Sequence, residues 1–492
     1  MDMWRREVLS ALGGAAVSTP ALSGVAGASD DCPYGTVRGE ATGTAYLWHS
    51  RSEDDAELLQ AAAERWENAS ESSVALSTIY GSVMARLQSS VLSGDGPHLF
   101  EWSHDRAGQF EEAGFLAAQT GEVDIPDCML TDSALEASFY HGERIGVPWA
   151  GETVALYYNT QMVDSPPETI EEMTAIMDAY HNPARGTYGL ALPINPYYVS
   201  GFAQAYGGKI FDGETATLGL TDDAVLEGLR VVTDDLAPYV SENTDYGRQQ
   251  SVFLEGDAPL YISGPWELAP LRESSVEFDV TTLPSLPDGG TPRPYTGIKL
   301  LYFIKRMEDS ESADAAREFA AWFATNEDRL LDHASEGDYV PVHTDLVGSD
   351  RLPPEISVFA EQIANGYPTP QNPLMDQVWG ALGDALGRTI EGDGDLEANL
   401  RQAEQQVYRS WDGRGEGNRL LTVAGRPPRD PDRDGVFEDI DGNGEVDGRD
   451  VLTYLRRRNS RVIRRYPARF DFDGDGDSGD LFDALALWDE LS

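Results

Sequence analysis

From Thr42 onward the sequence alternates short β-rich apolar runs with longer stretches of helical apolar spacing, and nothing else in the chain constrains the fold as strongly. Residues 44–48 read as a strand. Ser52 caps a helix whose apolar face is Leu58, Leu59, Ala62, Ala63 and Trp66. Residues 74–79 read as a second strand, 83–92 as a helix and 99–102 as a third strand. This pattern predicts a parallel α/β sheet, and such sheets bind ligands beyond the carboxyl ends of their strands. At one such end lies Trp102-Ser103-His104-Asp105-Arg106, preceded by the turn Gly94-Asp95-Gly96-Pro97. A sugar offers a C–H face that packs on an aromatic ring, and hydroxyl pairs that a carboxylate or guanidinium holds bidentately. Taken alone, the same stretch also describes a strand end with a buried Trp and a surface ion pair. The rest of the chain has to decide between the two.

At 492 residues the chain exceeds one hydrophobic core and suggests about three or four structural units. Asp and Glu number 85 against 36 Lys and Arg, a net charge of −49, and the lysines are only Lys209, Lys299 and Lys305. Acid spread through the whole length suits a protein kept soluble in brine, and points to an extreme halophile. The same balance leaves no basic surface for a nucleic acid. Against so acidic a background a lone Asp or Glu carries little information, whereas Trp, Tyr and Arg at defined positions carry more.

A second α/β unit begins in 146–159, around Glu152. It continues through the aromatic turn Asn195-Pro196-Tyr197-Tyr198 to a strand that ends in Ser263-Gly264-Pro265-Trp266. Residues 296–304 form a further strand, and helical material including Trp379 runs to about Trp411. The turn and Trp102–Arg106 stretch, the segment around Glu152, the Ser-Gly-Pro-Trp turn and Trp379 occur in one order over roughly residues 42–410. In that order the chain resembles the extracytoplasmic solute-binding proteins of ABC importers, and among them the maltose and maltodextrin-binding branch of family 1. The resemblance implies a two-lobed periplasmic-binding-protein-like fold of type II, hinged by three crossovers near 147–152, 295–300 and 342–346. Lobe 1 would comprise 42–149 and 297–345, and lobe 2 would comprise 150–296 and 346–411. The resemblance also carries over a ligand-binding set. Asp105, Arg106 and Glu152 would bind hydroxyls; Tyr197, Trp266 and Trp379 would stack on sugar faces; Trp102 would stand beside them. Where maltose binders of the family carry Asn, Asp and Lys after the first strand, this chain has Ser50, Ser52 and Glu53. Family acids fall at Met84 and Asn195, and a family Arg at Gly383. The aromatic platform is kept while several polar contacts are exchanged.

Residues 1–28 read as an export signal of the twin-arginine type, with Arg5-Arg6, an apolar run and the small residues Ala26-Gly27-Ala28, so the mature protein is expected outside the cytoplasm or at the cell surface. Cys32 and Cys128, the two cysteines, both fall beyond it, where a disulfide between them is allowed.

After a Gly-rich linker over 412–429 the composition changes again. Asp439, Asp441, Asn443, Glu445, Asp447 and Asp450 place oxygens at the spacing of a calcium loop, with Gly444 at the sharp turn. Asp471, Asp473, Asp475 and Asp477 begin a second copy, in which Phe482 holds the last ligand position and Asp480 or Asp483 would substitute. An apolar helix follows each loop. Residues 430–492 therefore resemble a type I dockerin, a small EF-hand-like helical module folded by calcium. Gly448 and Arg449 stand in place of the hydroxylated pair usual at its cohesin-binding surface.

These readings make the chain a non-enzymatic, monomeric carrier of a maltodextrin-like oligosaccharide that delivers it to an ABC permease, with the tail attaching it to a cohesin-like or cell-surface partner. The competing readings are an exported dockerin-bearing enzyme, with Asp105 and Glu152 as an acid and base pair, and a pure attachment protein.

Overall fold

The expected strands and helices close into two sheets joined by crossing strands. The computed structural model describes residues 41–93, 96–213, 216–305, 310–413, 428, 437–442, 446–458, 463, 470, 472 and 481–490. In chain order the strands are β1 Thr44–His49, β2 Ser73–Thr78, β3 Leu99–Ser103, the short hairpin β4 Phe139–Tyr140 and β5 Glu143–Arg144, β6 Gly146–Glu152, β7 Ala155–Asn159, a second hairpin β8 Phe211–Asp212 and β9 Thr217–Leu218, β10 Leu260–Ser263, β11 Phe278–Thr281, β12 Tyr295–Phe303, β13 Val340–Pro341 and β14 Tyr367–Pro368.

The main sheet runs in the order β2-β1-β3-β12-β6-β13. β1 pairs in parallel with β2 and β3, as the alternation requires. The parallel pairing expected of these three strands does not extend to β12, which is antiparallel to both β3 and β6. Its reversed direction has a topological cause: β12 enters from the other lobe instead of returning through a helix on the same sheet, so the parallel-crossover rule does not govern it. Side chains alternate across this sheet with the period of two. Leu99, Leu301, Trp149 and Phe323 fill one face, and Phe100, Leu300, Tyr302 and Phe110 the other. Phe100 and Tyr302, partners across strands, stack at 4.9 Å.

The second sheet is β10-β7-β11, with β7 antiparallel to both neighbours. Around it lie Leu156, Phe202, Leu229 and Ile262, together with Val378, Leu382 and Leu386 of the helix Met375–Ile390. Three passages link the sheets: β6 into β7, β11 into β12, and β13 into the helix Pro354–Asn365, which packs Ile356 and Phe359 with Tyr157 and Tyr261. The first passage, expected near 147–152, leaves the main sheet just after Glu152, which still pairs with Gly297. Thr153 Oγ1 donates to the Tyr295 carbonyl at 3.0 Å and so ties the first two passages together.

The helix Leu396–Gly413 continues into the start of the expected linker. Beyond it, the helices Gly448–Arg457 and Leu481–Glu490 follow the two acidic stretches, with Tyr454, Ile463, Phe470 and Leu487 buried. The expected export signal, Cys32, Asn443, Glu445, Asp471, Asp473, Asp475 and Asp477 lie outside the described residues. Among the described residues no helix is long and apolar enough to cross a membrane.

Candidate functional site

β3 ends in a tight turn, His104–Arg106, that runs into the helix Ala107–Glu112. His104 is fully buried, and its Nδ1 accepts the Ile298 N–H at 3.0 Å, so the turn is pinned to β12. Burial, which disfavours the imidazolium, pushes the His104 pKa down. His104 is therefore a structural anchor. Asp105 and Arg106 are partly exposed. Arg106 Nε lies 3.4 Å from Asp105 Oδ2, and its Nη1 2.9 Å from Asp376 Oδ1, on the helix of the second lobe. Gln109 Nε2 holds the other Asp376 oxygen at 2.7 Å. The approach is close because residue 108 is glycine: a Cβ there would stand 2.4 Å from the Gln371 carbonyl. Trp102 is half-buried on the core that holds Phe100 and Tyr302, as are Trp48, Met84 and Tyr140.

Glu152 closes β6, and its Oε2 lies 3.0 Å from Lys299 Nζ on β12. The Glu152 carboxylate is the leading cause that holds Lys299 above the usual lysine range, against the opposing effect of burial.

From the second lobe, Asn195 caps the helix Pro196–Ala203, its Oδ1 accepting from the Tyr197 N–H at 3.1 Å. The family acid expected at this position has become a helix cap. Tyr197 faces Trp266, ring centroids 6.4 Å apart and tilted by 39°. The Tyr197 hydroxyl is buried with no hydrogen-bond partner among the described residues. Its pKa is raised well above normal by burial first, then by the charge of Glu152, by Tyr198 and by Asp105, so both carboxylates lie within electrostatic range of this hydroxyl. Burial likewise pushes the Tyr198 phenol up to about 12. Trp266 is 37% exposed, and its ring folds back over its own turn, where a Cβ on Gly264 would meet it at 2.2 Å.

The next residue fixes that turn. Glu267 is fully buried, and its Oε1 accepts from the hydroxyls of Tyr246 at 2.7 Å, Tyr261 at 2.9 Å and Ser263 at 3.3 Å, while Oε2 accepts from Gln250 at 3.0 Å. Trp379 meets Tyr295 edge to face at 5.4 Å, one helical turn beyond Asp376.

Asp105, Arg106, Glu152, Tyr197 and Trp266 are thus brought together from separate elements, while Trp102 and Trp379 pack on the cores of their own lobes. Sequence reasoning missed Lys299, Asp376, Gln109 and Glu267. The rarity of lysine was a usable signal for Lys299; no local signal marked the others in so acidic a chain. It also missed Tyr80, which is 87% exposed and lines, with Arg51, Ser52 and Thr78, a pocket of about 880 Å³ that includes none of the seven expected ligand residues. Ser52, one of the exchanged family positions, caps the helix Glu53–Glu67 by accepting from the Asp55 N–H.

In the C-terminal module, carboxylate oxygens of Asp439, Asp441 and Asp450 lie within 4.8 Å of one another. Asp450 also accepts the N–H groups of Asp441 at 3.0 Å and Asp447 at 2.8 Å. Burial, with the charges of Asp439 and Asp441 further down the order, raises the Asp450 pKa against those hydrogen bonds. Asp447 caps the following helix through the Arg449 N–H. Asp483 is buried and accepts from the Phe472 N–H at 3.0 Å and the Tyr454 hydroxyl at 2.9 Å. Cys128 is disulfide-bonded.

Two α/β lobes joined by three passages, with polar and aromatic groups meeting between them, define a solute-binding protein of the extracytoplasmic type. Solved structures agree with the fold: a cyclo/maltodextrin-binding protein complexed with maltotetraose matches with a TM-score of 0.67 and 22% identity, over 75% of this chain and 97% of that one. The Thermus thermophilus maltotriose binding protein matches at 0.62 and 24%, over 74% and 99%. By sequence, the maltotriose-binding protein of Pyrococcus abyssi (strain GE5 / Orsay) is 32% identical over 382 residues, 76% of this chain and 83% of that protein. The galactooligosaccharide-binding protein of Bacillus subtilis (strain 168) is 27% identical over 330 residues, 64% and 76%. Residues 26–329 match the family profile for bacterial extracellular solute-binding proteins, and the chain belongs to that family.

Proposed function

We propose that the protein binds a maltooligosaccharide between its lobes and presents it to the permease of an ABC importer. The observation that carries this reading is the convergence of Asp105, Glu152 and the unpartnered Tyr197 hydroxyl beside the Tyr197–Trp266 pair. A sugar would place hydroxyls on the carboxylates and Arg106, and a C–H face on Trp266. Trp102 and Trp379 would flank the ligand. Maltotriose and galactooligosaccharide binding among the relatives support an oligosaccharide of this size class. The enzyme reading is weaker, because Asp105 is paired with Arg106 and Glu152 with Lys299, which leaves neither as an isolated acid. Titration calorimetry of the full chain with maltose, maltotriose, maltotetraose and a galactooligosaccharide, in high salt, tests the proposal. Stoichiometric binding of a maltooligosaccharide is expected; a flat titration across the panel rejects it.

The tail is proposed to bind calcium and to attach the protein at the cell surface. What supports calcium is the donor chemistry: Asp439, Asp441 and Asp450 offer only hard oxygens, gathered closely enough to share one cation. A bound ion would neutralise these carboxylates and hold the loop on its helix. Calcium-dependent pull-down from cell envelopes by the full chain, compared with a chain ending at 413, tests the attachment role.

A further inference from the structure

Arg329 sits in the first turn of the helix Glu327–Glu336, 1% exposed, and its Nε, Nη1 and Nη2 are all buried without a hydrogen-bond acceptor among the described residues. Its guanidinium lies 3.8 Å from the centre of the Phe323 ring and 5.2 Å from that of Trp149. The same Trp149 ring carries Arg51 on it at 4.7 Å, and Tyr339 lies 5.2 Å from Arg51. Two guanidinium groups therefore share one aromatic box in the interior of lobe 1.

The charges in the box do not balance. Arg51 donates to Glu101 Oε2 from Nε at 2.9 Å and from Nη2 at 2.7 Å, and that carboxylate is buried with it. His333, 3.3 Å from Arg51 Nη1, is held neutral by burial and by the charges of Arg329 and Arg51, its pKa pushed far down. Glu101 is thus the one buried carboxylate described beside the two cations; Asp332, which also acts on Arg329, is 41% exposed and paired with Arg65 at 2.6 Å. A guanidinium cannot shed its proton to escape burial, as a lysine can. Stacking on Phe323 and Trp149 engages the flat faces of Arg329 but leaves its edge, where the N–H groups point, without an acceptor. A buried cation with three unsatisfied donors is among the most unfavourable arrangements in a protein interior. One anion at a guanidinium edge removes the unpaired charge and satisfies two of the three nitrogens.

The geometry points to a binding site for one small monovalent inorganic anion, a halide such as chloride, at the guanidinium edge of Arg329, beside Arg51, inside lobe 1. Aromatic walls offer a strongly hydrated anion nothing in exchange for its water, and a single surplus positive charge matches a monovalent ion, which favours a halide over a phosphate. Arg51 also lines the pocket bounded by Ser52, Thr78 and Tyr80, so one side of the pair of guanidinium groups reaches that pocket. The site is built from the segment after β1, from β3 and β6 and from the helices that carry Phe323 and Arg329, and uses none of the sugar-cleft residues, so it stands or falls separately from the proposed function.

Crystals of the full chain soaked in sodium bromide test the site directly. Bromine anomalous density at the Arg329 guanidinium edge is expected. A map empty there, or one in which Arg329 has turned away to pair with a carboxylate, overturns the proposal. In solution, equilibrium unfolding is followed while chloride replaces methanesulfonate at constant ionic strength. Above the dissociation constant, each tenfold rise in chloride should raise the folding equilibrium constant about tenfold in the wild type. Arg329→Met should abolish that slope. A flat wild-type response, or equal slopes in both proteins, overturns the proposal; if Arg329→Met does not fold, the bromide map and the wild-type slope decide it.

Discussion

Arg106 on the turn after β3 and Asp376 on the helix Met375–Ile390 form an ion pair, 2.9 Å between Nη1 and Oδ1, that connects the main-sheet lobe to the core of the second lobe. Both side chains are more than a third exposed, at 37% and 45%, so the pair is a salt-screened latch rather than a structural staple. It also occupies one of the groups proposed to hold sugar.

Two substitutions separate latch from ligand. Asp376→Asn should leave unfolding stability within about 1 kcal/mol of wild type, and change maltooligosaccharide affinity by less than about tenfold. Arg106→Ala removes a hydroxyl-binding group as well, and should weaken affinity by about tenfold or more, roughly 1.4 kcal/mol. Calorimetry on both variants checks this, and a larger effect from Asp376→Asn would contradict it.

Lys299 depends on Glu152. Its pKa is raised, so the stabilisation from this pair is fully present below the unfolded lysine value of about 10.4 and is lost as pH rises through the still higher folded value. The stability difference between wild type and Lys299→Met should stay level from pH 7 to about pH 10 and shrink above it. Glu152→Gln should lower the Lys299 pKa. Lysine-selective carbon NMR resolves it readily in a chain whose lysines are Lys209, Lys299 and Lys305.

The Trp266 turn gives a contrast between contact and support. Trp266→Ala removes a partly exposed ring, so stability should change by about 1 kcal/mol or less while affinity falls by roughly 1–3 kcal/mol. Glu267→Ala leaves the Tyr261 and Ser263 hydroxyls buried without their acceptor, and should lower stability by about 1–3 kcal/mol and weaken binding as the turn loosens. Chemical denaturation and calorimetry together distinguish the two patterns.

Chelation addresses the tail. With EDTA, repulsion among Asp439, Asp441 and Asp450 should open the loop, and limited proteolysis should cut between residues 430 and 492 while the two lobes stay intact. Asp450→Ala should show the same cleavage with calcium present. Equal protection in EDTA and calcium would argue against a metal there.

Much of the architecture was legible because it is written in local patterns. The period-two runs of β1, β2 and β3, the helical face ending in Trp66 and the Gly-Pro turn before Trp266 identify themselves from their neighbours in sequence, and the ordered motifs proposed seven ligand residues, of which the fold gathers Asp105, Arg106, Glu152, Tyr197 and Trp266 and sets Trp102 and Trp379 on the lobe cores. The antiparallel direction of β12 was not legible, since strand direction depends on which lobe the chain has just left. Nor were Lys299, Asp376 and Glu267, whose partners lie far away in sequence or gain their meaning from burial.

By itself, then, the sequence determined the element types, their order and the aromatic residues offered to a ligand, because backbone preference and apolar spacing act over a few residues. Tertiary structure alone decided which carboxylates face which cations: Glu152 with Lys299, Asp376 with Arg106, and Glu101 with Arg51 while Arg329 beside it is left without an acceptor among the described residues. Electrostatic strength depends on distance and exclusion of water, and in a chain with 85 acids no local pattern says which of them will be brought together and buried.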